Sequence, residues 1–170
     1  MQITLLRESD TQALLEFELE NRAWFESHIN PRENSFYSYE GVRSHILEFL
    51  GGYRTREILP MLIKNDQNEI VGRINFHQVD KLRQTAHLGY RIGERFTRQG
   101  IASLAVGQIL QKARQFGVHT VIAMAAIDNL GSQKVLGNNG FEKVRVIKNF
   151  AVVRRRSIDC IEFQIDLDSE

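Results

Sequence analysis

The chain has 170 residues, 42% of them hydrophobic and 25% charged, the balance of a folded globular protein rather than a disordered one. Its 22 Lys plus Arg stand against 21 Asp plus Glu, so no overall field attracts nucleic acid or a membrane surface. The single cysteine, Cys160, excludes an internal disulfide and a cysteine-rich zinc site, and it lies in an apolar alternating stretch where a buried structural thiol is expected.

In chain order, Gln2 to Leu6 reads as a short strand, and Ser9 or Asp10 caps a helix with Ala13, Leu14, Phe17 and Trp24 on its apolar side. Residues 26–40 carry Pro31 and three aromatics, Phe36, Tyr37 and Tyr39, without a period, which predicts a long loop. A second helix runs from about Glu40 to Leu50 with Val42, Ile46 and Phe49 inward, and Gly51-Gly52 is expected to stop it. A strand over 58–63 and a turn at 65–68 precede a longer strand over 69–79. There Ile70, Gly72, Ile74 and Phe76 share one face and Arg73, Asn75 and His77 the other. TAHLGYRI, residues 85–92, completes a meander.

A helix over 98–116 follows, with Ala102, Ala105, Val106, Ile109, Ala113 and Phe116 along one side and Gly117 at its end. HTVIAMAAI is continuously apolar, as a strand covered on both faces would be. DNLGSQKVLGNNG forms a short helix, and strands over 141–150 and 157–166 close the chain. Arg154, Arg155 and Arg156 between them read as a solvated turn, not a nucleic-acid patch. With no repeat or linker, the expectation is one α/β domain over 1–170, a mixed sheet of six to seven strands with helices on both faces. Its strand–helix–strand crossover over 85–125 is expected to be parallel and right-handed. MQITLLRESD lacks the apolar stretch of a signal peptide, and no uncharged run approaches the length of a membrane span, so a cytoplasmic location is expected.

The chemistry gathers at residues 98–103. A strand, then Arg98-Gln99-Gly100, then a helix starting Ile101-Ala102-Ser103 place unpaired backbone N–H groups and the positive end of a helix dipole behind a turn with little bulk. That is an anion cradle. No G-x-x-x-x-G-K-[ST] loop and no G-x-G-x-x-G fingerprint occurs, which leaves an anion held by one glycine and an alanine two residues later.

Thr97-Arg98-Gln99-Gly100-Ile101-Ala102 resembles the [Q/R]-x-x-G-x-[G/A] segment of the GNAT family of N-acetyltransferases, and LGYRI, DNLGS with NNGF, GRINFH and ENRAWF resemble further segments of its Rim-type branch. The resemblance implies a GNAT fold and acetyl-coenzyme A as cosubstrate. It implies that Arg98, Gln99, Gly100, Ile101, Ala102 and Ser103 hold the pyrophosphate and that Leu88, Gly89, Tyr90, Arg91 and Ile92 form a bulged strand against the pantetheine arm. Asn129, Lys134 and Asn138 are implied at the coenzyme from the second motif. Ser132, one turn past Asn129, is the implied proton donor to the leaving thiolate, with a backbone N–H near Tyr90 to Ile92 on the carbonyl oxygen.

Two positions depart from the pattern. Thr97 stands where Gln or Arg is usual, and Leu136 stands where many relatives carry a tyrosine, four residues before the G-F glycine. The base that takes the acceptor's proton stays unassigned among His77, His28, Glu20 and a water chain; no metal is implied. The expected acceptor is an amine, in the Rim-type branch a protein N-terminal α-amine. A small-molecule amine (polyamine, amino sugar, antibiotic) and a silent acetyl-coenzyme A-binding module stay open, as does monomer against homodimer.

Overall fold

In the computed structural model, which describes residues 1–169, the chain runs β1 (Gln2–Leu5), α1 (Thr11–Glu20), α2 (Arg22–Glu26), α3 (Tyr39–Arg54), β2 (Leu59–Lys64), β3 (Ile70–Asp80) and β4 (Thr85–Ile92). It continues with α4 (Ile101–Ala113), β5 (Thr120–Ala126), α5 (Leu130–Asn138), β6 (Glu142–Val153) and β7 (Arg156–Asp166). The strands form one seven-stranded sheet in the order β1-β2-β3-β4-β5-β7-β6. All neighbours are antiparallel except β4 and β5, which are parallel and joined through α4, as the crossover predicts. No helix among the described residues is long and apolar enough to cross a membrane.

Helices cover both faces. The stripe Ala105, Val106, Ile109, Ala113 of α4 is fully buried against Ile74, Phe76, Val121 and Phe163. Leu14 and Phe17 of α1 and Val42 and Ile46 of α3 bury the other face with Leu62 and Ile70. Each such Leu, Ile, Val or Phe contributes about 1.5–3 kcal/mol by leaving water, so the two clusters hold the sheet between two apolar layers.

Four expectations give way to the structure. The first helix breaks at Asn21, whose buried side chain donates to Phe17 O and accepts from Glu94 N, turning the chain into α2. Asp10 does not cap α1 through its side chain; its carboxylate accepts from Arg7 N and Lys64 Nζ instead. Gly51-Gly52 does not stop α3, which runs to Arg54. A Cβ on Gly52 would come within 2.7 Å of the Ile58 side chain, so Gly52 admits the return of the chain rather than ending the helix. In β3, Gly72 pairs with Ile63 but Ile70 with Lys64, so Val71 is an extra residue and Ile70 lies on the face opposite Ile74 and Phe76. Arg154 and Arg155 form the turn between β6 and β7, both exposed at positive φ.

Candidate active site

β4 leaves its parallel neighbour halfway. Its ladder with β3 continues to Ile92, whereas its ladder with β5 ends at Leu88↔Ala123. Beyond Leu88 the β5-facing edge of β4 has no strand partner among the described residues, and its backbone groups face a slot through the sheet. The slot comes from divergence of the two strands; β4 shows no bulge against β3 between His87 and Ile92, contrary to the bulged strand expected for LGYRI. Trp24 of α2 fixes the far end by donating from Nε1 to Ile92 O at 3.2 Å.

The glycine turn lies at the entrance on the α4 side. Gly100 is the N-cap of α4 in the left-handed region, φ 76°, and a Cβ there would meet nothing within 4 Å. Arg98, at φ 60°, and Gln99 are exposed with it, and Gln99 donates to Arg95 O. The first turn carries no acidic residue and Gly100 offers no side-chain cap, so the N–H groups of Ile101, Ala102 and Ser103 lack an internal acceptor. An open cradle of amides at a dipole's positive end fits a diphosphate, and Thr97 does not obstruct it, because its hydroxyl donates to Glu94 O.

α5 brings the second set of residues. Asn129 caps it, Oδ1 accepting from Ser132 N at 3.1 Å, so its amide N–H groups are left for a ligand. Ser132 Oγ and the Tyr90 hydroxyl are hydrogen-bonded at 2.7 Å across the slot. Burial raises the Tyr90 pKa, opposed by that bond to Ser132, so the phenol stays protonated. Tyr90 therefore supplies a hydroxyl at this point from β4, while Leu136, at the family's usual tyrosine position, is fully buried in the core. Lys134 and Asn138 are exposed on α5. α5 is linked to the cradle by Asn139, which donates to Ser103 O at 3.2 Å and Ser103 Oγ at 3.3 Å.

The α1–α3 face of the slot is polar, as the alternation of β3 predicts. Asn75 is opposite Gly89 and His77 opposite His87 in the register. His77 Nε2 lies 3.5 Å from where a Gly89 Cβ would be, so its imidazole covers the first residue beyond the fork. Burial, and then the neighbouring His87, lower the His77 pKa, which keeps the ring neutral and able to accept a proton at neutral pH. Asn75 Oδ1 is buried without a partner beside it. The other candidate bases are engaged at the surface: Glu20 is paired with Arg95 at 2.9 Å and His28 Nδ1 contacts Ser27 Oγ and Trp24 O.

Next along this face is a charge cluster that the sequence reading missed. Glu18 is 1% exposed and accepts from Arg73 Nη1 at 2.8 Å, with Arg32 and Arg91 3.9 and 3.8 Å away. The signal was present: Leu14, Phe17, Glu18 and Asn21 share one side of α1 by helical spacing, an acid in an apolar stripe. His45 of α3 lies 2.7 Å from Arg73 Nη2. Burial and the fields of Arg73, Arg32 and Arg91 push its pKa down to about 2, so it is neutral and accepts that bond.

Residues 1–142 match the model of the acetyltransferase (GNAT) domain. A ribosomal-protein-serine acetyltransferase of Escherichia coli is 25% identical over 145 residues, 83% of this chain and 78% of that protein. The probable N-acetyltransferase YjcK of Bacillus subtilis is 28% identical over 141 residues, covering 81% and 78%. Among solved structures, a ribosomal-protein alanine acetyltransferase from Vibrio fischeri superposes with a TM-score of 0.93 at 20% identity over 99% of this chain and 93% of that one. RimL in complex with coenzyme A superposes with a TM-score of 0.88 at 23% identity, covering 99% and 94%. The chain belongs to the GNAT acetyltransferase family, and it is an enzyme that transfers the acetyl group of acetyl-coenzyme A to an amine.

Proposed function

We propose that the acceptor is the α-amine of a protein N-terminus, that transfer is direct, and that the enzyme works in the cytoplasm. The observation that carries this reading is the fork itself: one slot with an anion cradle and a hydroxyl pair on its α4–α5 side and a neutral, half-buried imidazole on its α1–α3 side. Acetyl-coenzyme A, when bound, supplies the thioester carbonyl and the thiolate leaving group. His77 Nε2 takes the proton that the amine must lose, and Ser132 Oγ, backed by the Tyr90 hydroxyl, donates a proton toward the leaving sulfur. A backbone N–H on the free edge of β4 faces the carbonyl oxygen as charge builds on it. An acetyl-cysteine route is disfavoured, because Cys160 is buried in β7 and burial raises its thiol pKa. The N-terminal acceptor is supported by the relatives and neighbours named above, several of them ribosomal-protein acetyltransferases.

The test is release of coenzyme A thiol with a panel of N-terminal peptides, polyamines and amino sugars, in wild type and in Ser132→Ala and Tyr90→Phe. Peptides should be the preferred acceptors. Ser132→Ala should lower kcat by about 100-fold with cofactor affinity nearly kept, and Tyr90→Phe should add little on top of it, because the two hydroxyls act as one pair. Preference for a polyamine or amino sugar would overturn the acceptor, and full turnover in Ser132→Ala would overturn its role.

A further inference from the structure

The charge cluster beside the fork is unbalanced. Three guanidiniums, from Arg32, Arg73 and Arg91, share the Glu18 carboxylate, and among the described residues no other carboxylate lies within ion-pair distance of any of them. Among the described residues neither the Arg32 nor the Arg91 side chain makes a hydrogen bond, although the Arg73 side chain makes short ones to Glu18 and His45. His45 brings no compensating charge, because it is neutral. The carboxylates along the depression outside Phe36 and His45 (Glu33, Glu40 and Glu48) do not reach the three arginines either. Burying an uncompensated cation is costly, and a guanidinium so placed is a strong donor to an incoming anion.

The cluster is also shaped and placed for a ligand. Arg73 and Glu18 are sealed in, with side chains 4% and 1% exposed, whereas Arg91 and Arg32 reach solvent at 25% and 24%. The Arg91 guanidinium lies 5.0 Å from the Phe25 ring centroid and that of Arg32 lies 4.3 Å from the Phe36 centroid. A ring at that distance restrains each guanidinium without using any of its N–H donors in a hydrogen bond. Arg91 is two residues beyond Gly89 on the same face of β4, so the cluster begins roughly 7 Å from the point that His77 covers. In an extended peptide the side-chain carboxylate of the second residue is a similar distance from the α-amine, about 6–8 Å.

We infer that Arg91 and Arg32 form a receptor for an anionic group of the acceptor, a carboxylate or phosphate one strand repeat from the reacting amine. For a protein acceptor this selects an acidic or phosphorylated second residue. The inference rests on the N-terminal reading of the site for that last step only; the anion preference itself applies to any amine that binds over Gly89.

The test compares otherwise identical peptides beginning Ser-Glu, Ser-phosphoserine, Ser-Ala and Ser-Lys, with 3-aminopropyl phosphate and 3-aminopropanol as small acceptors. The Ser-Glu peptide should have a KM about tenfold below that of Ser-Ala, with Ser-Lys poorer still, and phosphoserine should do as well as Glu. In Arg32→Gln the Glu-to-Ala ratio should fall toward one, Arg32→Lys should keep part of it, and Arg32→Glu should turn the preference toward Ser-Lys. The thermal shift caused by acetyl-coenzyme A verifies that each variant is folded. Acetylation of peptides without regard to the second residue, or a preference untouched by Arg32→Glu, overturns the receptor while leaving the N-terminal reading intact. Acetylation of the aminopropyl phosphate well ahead of the alcohol, with no peptide turned over, does the reverse.

Discussion

At the scale of single residues, His45 shows how one half-buried contact sets a pH limit on the whole protein. Its ring accepts from Arg73 and is held neutral, its pKa moved from near 6.5 to about 2 first by burial and then by the three arginines. In the unfolded chain the same histidine takes up a proton below about pH 6.5, so the unfolded state binds more protons there and stability falls as pH falls. The contribution is complete above pH 6.5 and is lost at about 1.4 kcal/mol per pH unit below it, about 2 kcal/mol by pH 5. His45→Gln keeps a carbonyl that can accept from Arg73 and removes the titration. Urea unfolding at pH 7 and pH 5 should show a smaller loss of stability in the variant than in wild type. Equal losses would mean that His45 already carries a proton in the folded protein.

At the scale of elements, the sequence was informative wherever a period was long and was misleading wherever one side chain made a tertiary contact. The stripe of α4 and the alternation of β3 from Arg73 to His77 were legible, because each repeats a local rule over several residues. The break at Asn21 was not, because Asn21 acts through Glu94, far along the chain. Nor was the end of α3, because Gly52 answers to Ile58 across a turn. The candidate site divides in the same way. The cradle at Gly100 and the cap at Asn129 are local motifs, whereas the Tyr90–Ser132 contact and the Glu18 cluster join elements that only the fold brings together. Gly41 is a further case that no pattern announces. A Cβ there would lie 2.1 Å from Ser35 O and 2.7 Å from Phe36 O, both backbone atoms that cannot rotate away. Gly41→Ala should therefore destabilise by about 1–3 kcal/mol despite alanine's better helix propensity. Because residues 34–36 must shift and Phe36 supports Arg32, KM for the acceptor should rise with it. Unchanged denaturant midpoint and KM would show that the turn yields freely.

At the scale of the whole molecule, the candidate site lies where a short ladder joins two parts of the sheet. β4 and β5 share four register pairs, against seven between β5 and β7, and the first four strands with α1–α3 meet the last three strands across that short ladder. α4 and the Asn139–Ser103 contacts reinforce the junction on one side, and Arg154 Nε, donating to Glu26 O at 3.1 Å, ties the β6–β7 turn to α2 on the other. A ligand held at once by the start of α4, the free edge of β4 and α5 crosses this junction and adds contacts that neither half has alone. Acetyl-coenzyme A at about 100 times its Kd should stabilise the fold by about 2.7 kcal/mol, or about 5–10 °C in Tm for a chain of this size. Hydrogen exchange distinguishes a bridge from general tightening. Protection should rise in residues 89–92 of β4 and in 101–103 and 130–133 at the two helix starts, and should be unchanged at the Arg154–Arg155 turn. Protection confined to 101–103, with 89–92 exchanging as in the free protein, would mean that the diphosphate end binds without the slot being filled, and that the fork is not where the acetyl group is delivered.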